Sequence, residues 1–249
     1  YLVRARLWDA AKTKMLDERL DTVFIPQVVK ITPLSIVAPL VATPIIYTNS
    51  NGSITSVYAG TESEDAAEQA LQNLPQYAAD LMPETVNIRF VNGQQSVQGA
   101  YTGIFVTLQH SSSDNNVGLS LELDQRNSSP ADIGMVYVVS AREVLYEHYR
   151  SPNAEDVFPT QLSVANFNRL LAQIIVHETG HAVGLVDHTF LEALSPSDPH
   201  NNDTDGTYIM DVRGFKKMSD ILAPSKTRYW KRFNRLYLEF CLPTGGWGL

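Results

Sequence analysis

HETGHAVGLVDH, residues 177–188, places three histidines, a glutamate, an aspartate and two glycines directly after the apolar run LLAQIIV. The stretch 160–184 is predicted to be a single helix that leads into this segment. On a helix His177 and His181 are one turn apart, so both imidazoles lie on one face within reach of one metal ion. Glu178 projects about 100° around the helix axis from its neighbour. Two metal ligands and an adjacent base therefore fit on one helix.

A third ligand is needed beyond the helix, because catalytic zinc takes three protein ligands and keeps a fourth position open. Gly184 is predicted to end the helix and to turn the chain. Asp187 follows His177 by ten residues, a spacing that lets its carboxylate complete the site. His188 is the alternative, because a one-residue shift of the turn would present its imidazole instead. The predicted metal ligands are His177, His181 and Asp187.

The pattern HExxHxxGxxD in this segment resembles that of the metzincin zinc metallopeptidases, and its aspartate is most similar to the snapalysin type. TYIMDVRG, with Met210, lies downstream where metzincins carry the Met-turn, a tight turn beneath the zinc. The resemblance implies a zinc-dependent endopeptidase. Glu178 would be its catalytic residue, taking a proton from the attacking water and returning it to the leaving amine. It also implies that substrate lies extended along an edge strand, here Gly118–Asp124.

Three features depart from the family pattern. Snapalysin-type enzymes are shorter and contain a disulfide, which a chain whose single cysteine is Cys241 cannot form internally. Matrixin latency uses a cysteine in the pro-segment, and residues 1–50 contain none. Several metzincins have a tyrosine two residues after the Met-turn methionine, where this chain has Val212. We therefore expect the oxyanion to depend on zinc alone, or on Tyr208 or His188.

The rest of the sequence predicts an α/β (α+β) fold. A metzincin-like arrangement would contain a twisted mixed sheet, a kinked helix, a zinc-binding helix, and a smaller C-terminal subdomain with the Met-turn and a terminal helix. The first helix, 61–82, is predicted to be interrupted at Pro75. The last, 225–240, has an apolar stripe of Tyr229, Phe233, Leu236 and Phe240. The predicted strands are 52–60, 85–93, 100–110, 117–125 and 132–140.

Two regions are predicted along the chain. Residues 1–50 form an N-terminal extension, either a pro-segment or an extra β layer, and residues 51–249 form the metzincin-like catalytic domain. The chain starts with Tyr1 instead of Met, for which a removed signal peptide is one explanation, and we expect a secreted or extracytoplasmic protein. The longest apolar stretch, Leu34–Ile46, is broken by two prolines and is shorter than the roughly 20 residues that span a bilayer.

Charge and composition restrict the kinds of partner that this chain is expected to bind. The 249 residues carry a formal net charge of −8, and lysine and arginine never occur in runs longer than two. Nucleic acid and anionic membranes are therefore disfavoured as main partners, and a protein or peptide substrate is expected. Ser197–Gly206 is rich in oxygen ligands and could hold Ca²⁺, but its spacing does not fit an EF-hand and favours a solvated turn.

Two further functional hypotheses compete with an active peptidase. The domain could be catalytically silent and use its zinc site in a protein-binding module, although a structural zinc site does not need Glu178. Alternatively, the protein is latent, with the N-terminal extension across the cleft and Asp9, Asp17 or Asp21 at the metal in place of water. Measuring zinc content and cleavage together separates these hypotheses. An active enzyme binds zinc and cleaves, whereas a silent or latent protein binds zinc without cleaving.

Overall fold

The fold was analysed in a computed structural model. It describes residues 2–8, 15–22, 27–34, 45–48, 54–58, 63–108, 116–121, 127, 131–141, 164–185, 208–210 and 230–242. Among these residues no helix is both long and apolar enough to cross a membrane. The architecture is mixed α/β, with strands and helices in one hydrophobic core, as predicted.

The central element is a five-stranded mixed sheet with the strand order β6-β3-β7-β9-β8. Its first four strands in that order are parallel, and β8 pairs with β9 in the antiparallel sense at one edge. Two separate two-stranded sheets, β1-β2 and β4-β5, are antiparallel. The strands are β1 Leu2–Trp8, β2 Met15–Thr22, β3 Gln27–Leu34, β4 Ile45–Thr48, β5 Ile54–Tyr58, β6 Ile88–Asn92, β7 Thr102–Thr107, β8 Gly118–Ser120 and β9 Ile133–Tyr137.

The predicted first helix is found as two helices, α1 Glu64–Gln72 and α2 Leu74–Ala79. The side chain of Ser63 caps α1 by accepting a hydrogen bond from the Ala66 amide at 3.3 Å. Pro75 lies in the first turn of α2, where its missing N–H removes no helical hydrogen bond. The predicted interruption is therefore confirmed.

The strand predicted over residues 52–60 is found as β5, but it does not belong to the five-stranded sheet. It pairs with β4 in a separate two-stranded sheet. The strand that enters the sheet before the helices is β3, which lies between β6 and β7. Strand propensity identifies an extended segment but does not identify the neighbour with which it pairs.

The position of β3 bears on the predicted extension. Gln27–Leu34 falls within residues 1–50, yet it is an interior strand with parallel partners on both sides. Val29 and Ile31 are buried in the core. This part of the predicted extension is therefore integral to the main sheet, and a removable pro-segment would have to end before Gln27.

The long helix α3, Val164–Ala182, packs across the sheet and against α1 and α2. Nearly every side chain along it is buried, which is typical of a helix enclosed between a sheet and other helices. Phe167, Leu171 and Ile175 on α3 join Ile104 and Val136 of the sheet in the hydrophobic core. The helix predicted over residues 160–184 is therefore found, and its packing fixes the position of its carboxyl end.

The C-terminal helix α4, Arg232–Cys241, corrects the predicted apolar stripe. Phe233, Leu236 and Phe240 are 52%, 45% and 65% exposed, whereas Asn234 and Leu238 are buried. Hydrogen bonds to other parts of the chain favour this orientation. They are made by the Tyr237 hydroxyl, the Trp230 indole and the Glu239 carboxyl. Helical spacing identified the stripe but not the face that packs. Tyr229 lies outside the described residues.

Candidate metal centre

His177 and His181 lie one turn apart near the end of α3, and their imidazoles face each other. The two Nε2 atoms are 3.1 Å apart, and the rings are nearly perpendicular at 87°. Two Zn–N bonds of about 2.05 Å at a tetrahedral angle would hold two nitrogens about 3.3 Å apart. The observed separation is close to that value, so the pair fits the donor geometry of one zinc ion.

The opposite nitrogen of each ring is held by a backbone carbonyl. The Nδ1 of His177 lies 2.6 Å from the Ile209 oxygen, and that of His181 lies 3.2 Å from the Leu185 oxygen. Because a carbonyl only accepts, each Nδ1 carries the proton and donates. Both Nε2 atoms are thereby turned toward the space between the rings, where they lie at hydrogen-bonding distance from each other. This is how metal-binding histidines are commonly oriented.

The turn that supplies the Leu185 carbonyl follows from Gly184, which has a φ of 87°. The amide of Leu185 donates to the Gly180 carbonyl at 2.8 Å, and the amide of Gly184 donates to the His181 carbonyl at 2.8 Å. These two bonds form a Schellman motif, which uses a left-handed residue to end a helix. The predicted helix end at Gly184 is confirmed.

Gly184→Ala is expected to lower the free energy of unfolding by about 1–2 kcal/mol, because alanine in the left-handed region brings its Cβ against the next carbonyl. Gly184→Asn should cost less, since asparagine tolerates this conformation better. Urea denaturation of both variants in the presence of a chelator measures the difference. Equal stability of the alanine variant and the wild type would contradict this account of the turn.

Met210 packs directly beneath the carboxyl part of α3. A Cβ placed on Gly180 would meet the Met210 sulfur at 2.6 Å and the Leu185 side chain at 3.2 Å. Only a glycine on the helix therefore allows the methionine to approach so closely. The adjacent Ile209 carbonyl holds His177, so the segment 208–210 supports the site from below, where the resemblance to metzincins puts its Met-turn. Tyr208, the predicted oxyanion candidate, is half-buried beside it.

Glu178 is directed toward the sheet edge and is only 5% exposed. Burial raises the pKa of this carboxyl to about 8, against a smaller lowering by a hydrogen bond from the Ser120 backbone. Gly118 on β8 and Gly134 on β9 both pass close to the Glu178 side chain. The carboxyl is thus packed between α3 and the antiparallel edge strand β8.

The structure brings together His177, Glu178 and His181, while Asp187 and its alternative His188 lie outside the described residues. Within the described ranges no group of three His, Cys, Asp or Glu side chains could hold a metal ion. Val212, Asp9 and the 197–206 stretch also fall outside them. Asp17 and Asp21 lie on β2, in the sheet that it forms with β1.

Sequence reasoning missed the groups that hold these side chains. The carbonyls of Leu185 and Ile209 are backbone atoms, for which no residue type is a signal. Gly118 carried a weak signal, because an isolated glycine in a strand often marks a close approach. In comparisons with known proteins, the chain matches no protein-family model and no curated protein.

Proposed function

We propose that this protein is a zinc-dependent endopeptidase of the metzincin type, with His177, His181 and Asp187 as metal ligands and Glu178 as general base. One observation carries the proposal: two imidazoles present facing Nε2 atoms 3.1 Å apart, while both Nδ1 atoms donate to backbone carbonyls. A metal ion between the rings makes this arrangement favourable.

Chain geometry supports Asp187 as the third ligand. The turn at Gly184 brings the Leu185 carbonyl back to the His181 ring. Asp187 is two residues further, and two residues span at most about 7 Å. The spacing therefore allows the Asp187 carboxylate to reach the two imidazoles. His188 remains the alternative ligand.

Glu178 suits the role of base because it is buried next to the ligands and has a pKa that burial has raised. A zinc ion at this site would supply a Lewis acid that polarises a peptide carbonyl and acidifies a bound water. Glu178 takes the proton of the attacking water and delivers it to the leaving amine. Packing against β8 and β9 excludes bulk water from the carboxyl and fixes its direction.

The edge strand offers a place for substrate. Among the described strands β8 is the last of the sheet, pairs with β9, and lies against the helix that carries the site. An extended peptide can pair with the other side of β8 through backbone hydrogen bonds. Leu119 on this strand and Leu121, which directly follows it, are exposed. Backbone pairing explains how a protein segment without defined sequence could be held in place.

Zinc titration tests the proposal. The purified 249-residue chain is stripped with a chelator, reloaded with zinc, and assayed for cleavage of an unfolded protein substrate. We expect cleavage to be absent after stripping and to rise in proportion to bound zinc until one ion per chain is reached. Mg²⁺ should not replace zinc, because two imidazoles are poor ligands for it.

Two results would contradict the proposal. Cleavage that is unaffected by stripping would show that the activity does not depend on the metal. Stoichiometric zinc without cleavage would favour the silent or latent zinc-binding module. His181→Ala serves as the matched variant, because it removes one Nε2 donor and should lower zinc affinity by at least tenfold.

A further inference from the structure

We infer that Gly118 is a positioning residue: its missing side chain and the neighbouring Ser120 amide form a seat on β8 that holds Glu178 in its working orientation. The inference rests on the proposed peptidase function for its catalytic consequence. The seat itself is a packing relation and can be tested without any activity.

The geometry at Gly118 is unusually tight. A Cβ built on this residue would lie 2.7 Å from the Cγ and 2.8 Å from the Cδ of Glu178. Cβ atoms do not approach other carbon atoms so closely, so any larger residue at 118 must displace the glutamate. Because Cγ is also in contact, rotation of the carboxyl group alone cannot relieve the overlap.

The Ser120 amide defines the other half of the seat. A hydrogen bond from this backbone group to the Glu178 carboxyl lowers the pKa of the carboxyl and opposes the larger effect of burial. On the neighbouring strand, a Cβ on Gly134 would lie 3.7 Å from the Cβ of Glu178, which is an ordinary van der Waals distance. A glutamate displaced from Gly118 would lose its bond to Ser120.

Gly103 shows that a strand glycine in this sheet is not by itself a tight position. It is buried on β7, and a Cβ there would meet Phe105 at 3.5 Å, an ordinary van der Waals distance. Gly103→Ala is therefore a matched control for the general effect of alanine in place of a strand glycine. Any additional effect at 118 belongs to the contact with Glu178.

The consequence for catalysis follows from the position of β8. The same strand holds the base through the Ser120 amide and, in the proposed function, pairs with the peptide. Its backbone would thus set the distance between the base and the scissile bond. Displacing Glu178 should lower kcat, because the base no longer reaches the attacking water, and should leave KM nearly unchanged, because the strand edge is intact.

A double-mutant cycle tests the seat without activity. Unfolding of the 249-residue chain in chelator is measured for wild type, Gly118→Ala, Glu178→Ala and the double variant. We expect Gly118→Ala to raise the unfolding equilibrium constant by at least about 10-fold when Glu178 is present. The same change should have less than about a 3-fold effect when Glu178 is alanine, because the overlapping atoms are gone. Gly103→Ala should show no such dependence.

Zinc-loaded protein supplies the catalytic arm. Gly118→Ala should keep one zinc per chain and lose at least about 10-fold in kcat with KM within about 3-fold, while Gly103→Ala keeps both. Equal costs of Gly118→Ala in the two backgrounds would overturn the seat. If Gly118→Ala alone fails to fold, folding of the double variant supports the seat and failure of both overturns it. If the two substitutions are coupled in stability but the wild-type protein never cleaves, the seat is supported and the proposed peptidase function is rejected.

Discussion

Glu178→Gln is expected to lower kcat for cleavage of an unfolded protein by about 10²–10⁴-fold, the usual contribution of a general base. Glutamine keeps the shape of the side chain and can still accept a hydrogen bond from the Ser120 amide, but it cannot take a proton. The two imidazoles that face each other at the end of α3 are unchanged. The variant should therefore bind one zinc per chain and remain folded.

Zinc content and cleavage rate are measured on the same preparation, so that loss of metal and loss of the base are separated. Glu68→Gln is the control for a glutamate-to-glutamine change away from the site, because Glu68 is an exposed carboxylate on α1. It should cleave as the wild type does. Residual activity of Glu178→Gln within tenfold of the wild type would mean that another group acts as the base.

The second large effect is expected in the stability of the metal-free protein. The pKa of Glu178 is raised from 4.5 to about 8 in the folded chain. Between pH 4.5 and about pH 8, the folded state therefore holds a proton on Glu178 that the unfolded state has released. The stabilising contribution is complete below pH 4.5 and is lost as the pH rises through about 8. Each pH unit in this interval costs up to about 1.4 kcal/mol.

Glu178→Gln removes this dependence, because glutamine is neutral at every pH. The free energy of unfolding is measured in chelator for both proteins, and the wild-type value is subtracted from that of the variant. This difference should be about 2–4 kcal/mol larger at pH 8 than at pH 5. Urea denaturation of both proteins at four pH values measures the difference. Histidines that titrate in this range are present in both and cancel to first order. Parallel pH curves would mean that Glu178 is not buried as described.

The candidate site was largely readable from the sequence because it depends on helical spacing. His177, Glu178 and His181 follow the geometry of one turn, and a glycine in the left-handed region ends the helix at Gly184. Such local rules need no knowledge of distant partners. The position of Met210 under Gly180 was also suggested, but only through the family resemblance.

The remaining features depend on contacts between distant segments. The pairing of β3 with β6 and β7, in place of β5, joins residues far apart in the chain, and strand propensity carries no information about such partners. The outward orientation of Phe233 and Phe240 on α4 is likewise decided by hydrogen bonds to other segments. Period and composition describe an element, whereas tertiary contacts decide how it is used.

The hydrogen bond from His177 to the Ile209 carbonyl joins positions 32 residues apart. Closing a loop of this length costs conformational entropy, and the cost falls on the protein before any metal arrives. During synthesis, His177 is made 32 residues before Ile209, whose carbonyl orients its ring. An excised helix would leave its imidazole free to rotate and would bind zinc more weakly. In the proposed zinc enzyme, acquisition of the metal would therefore be a late event, coupled to completion of the tertiary structure.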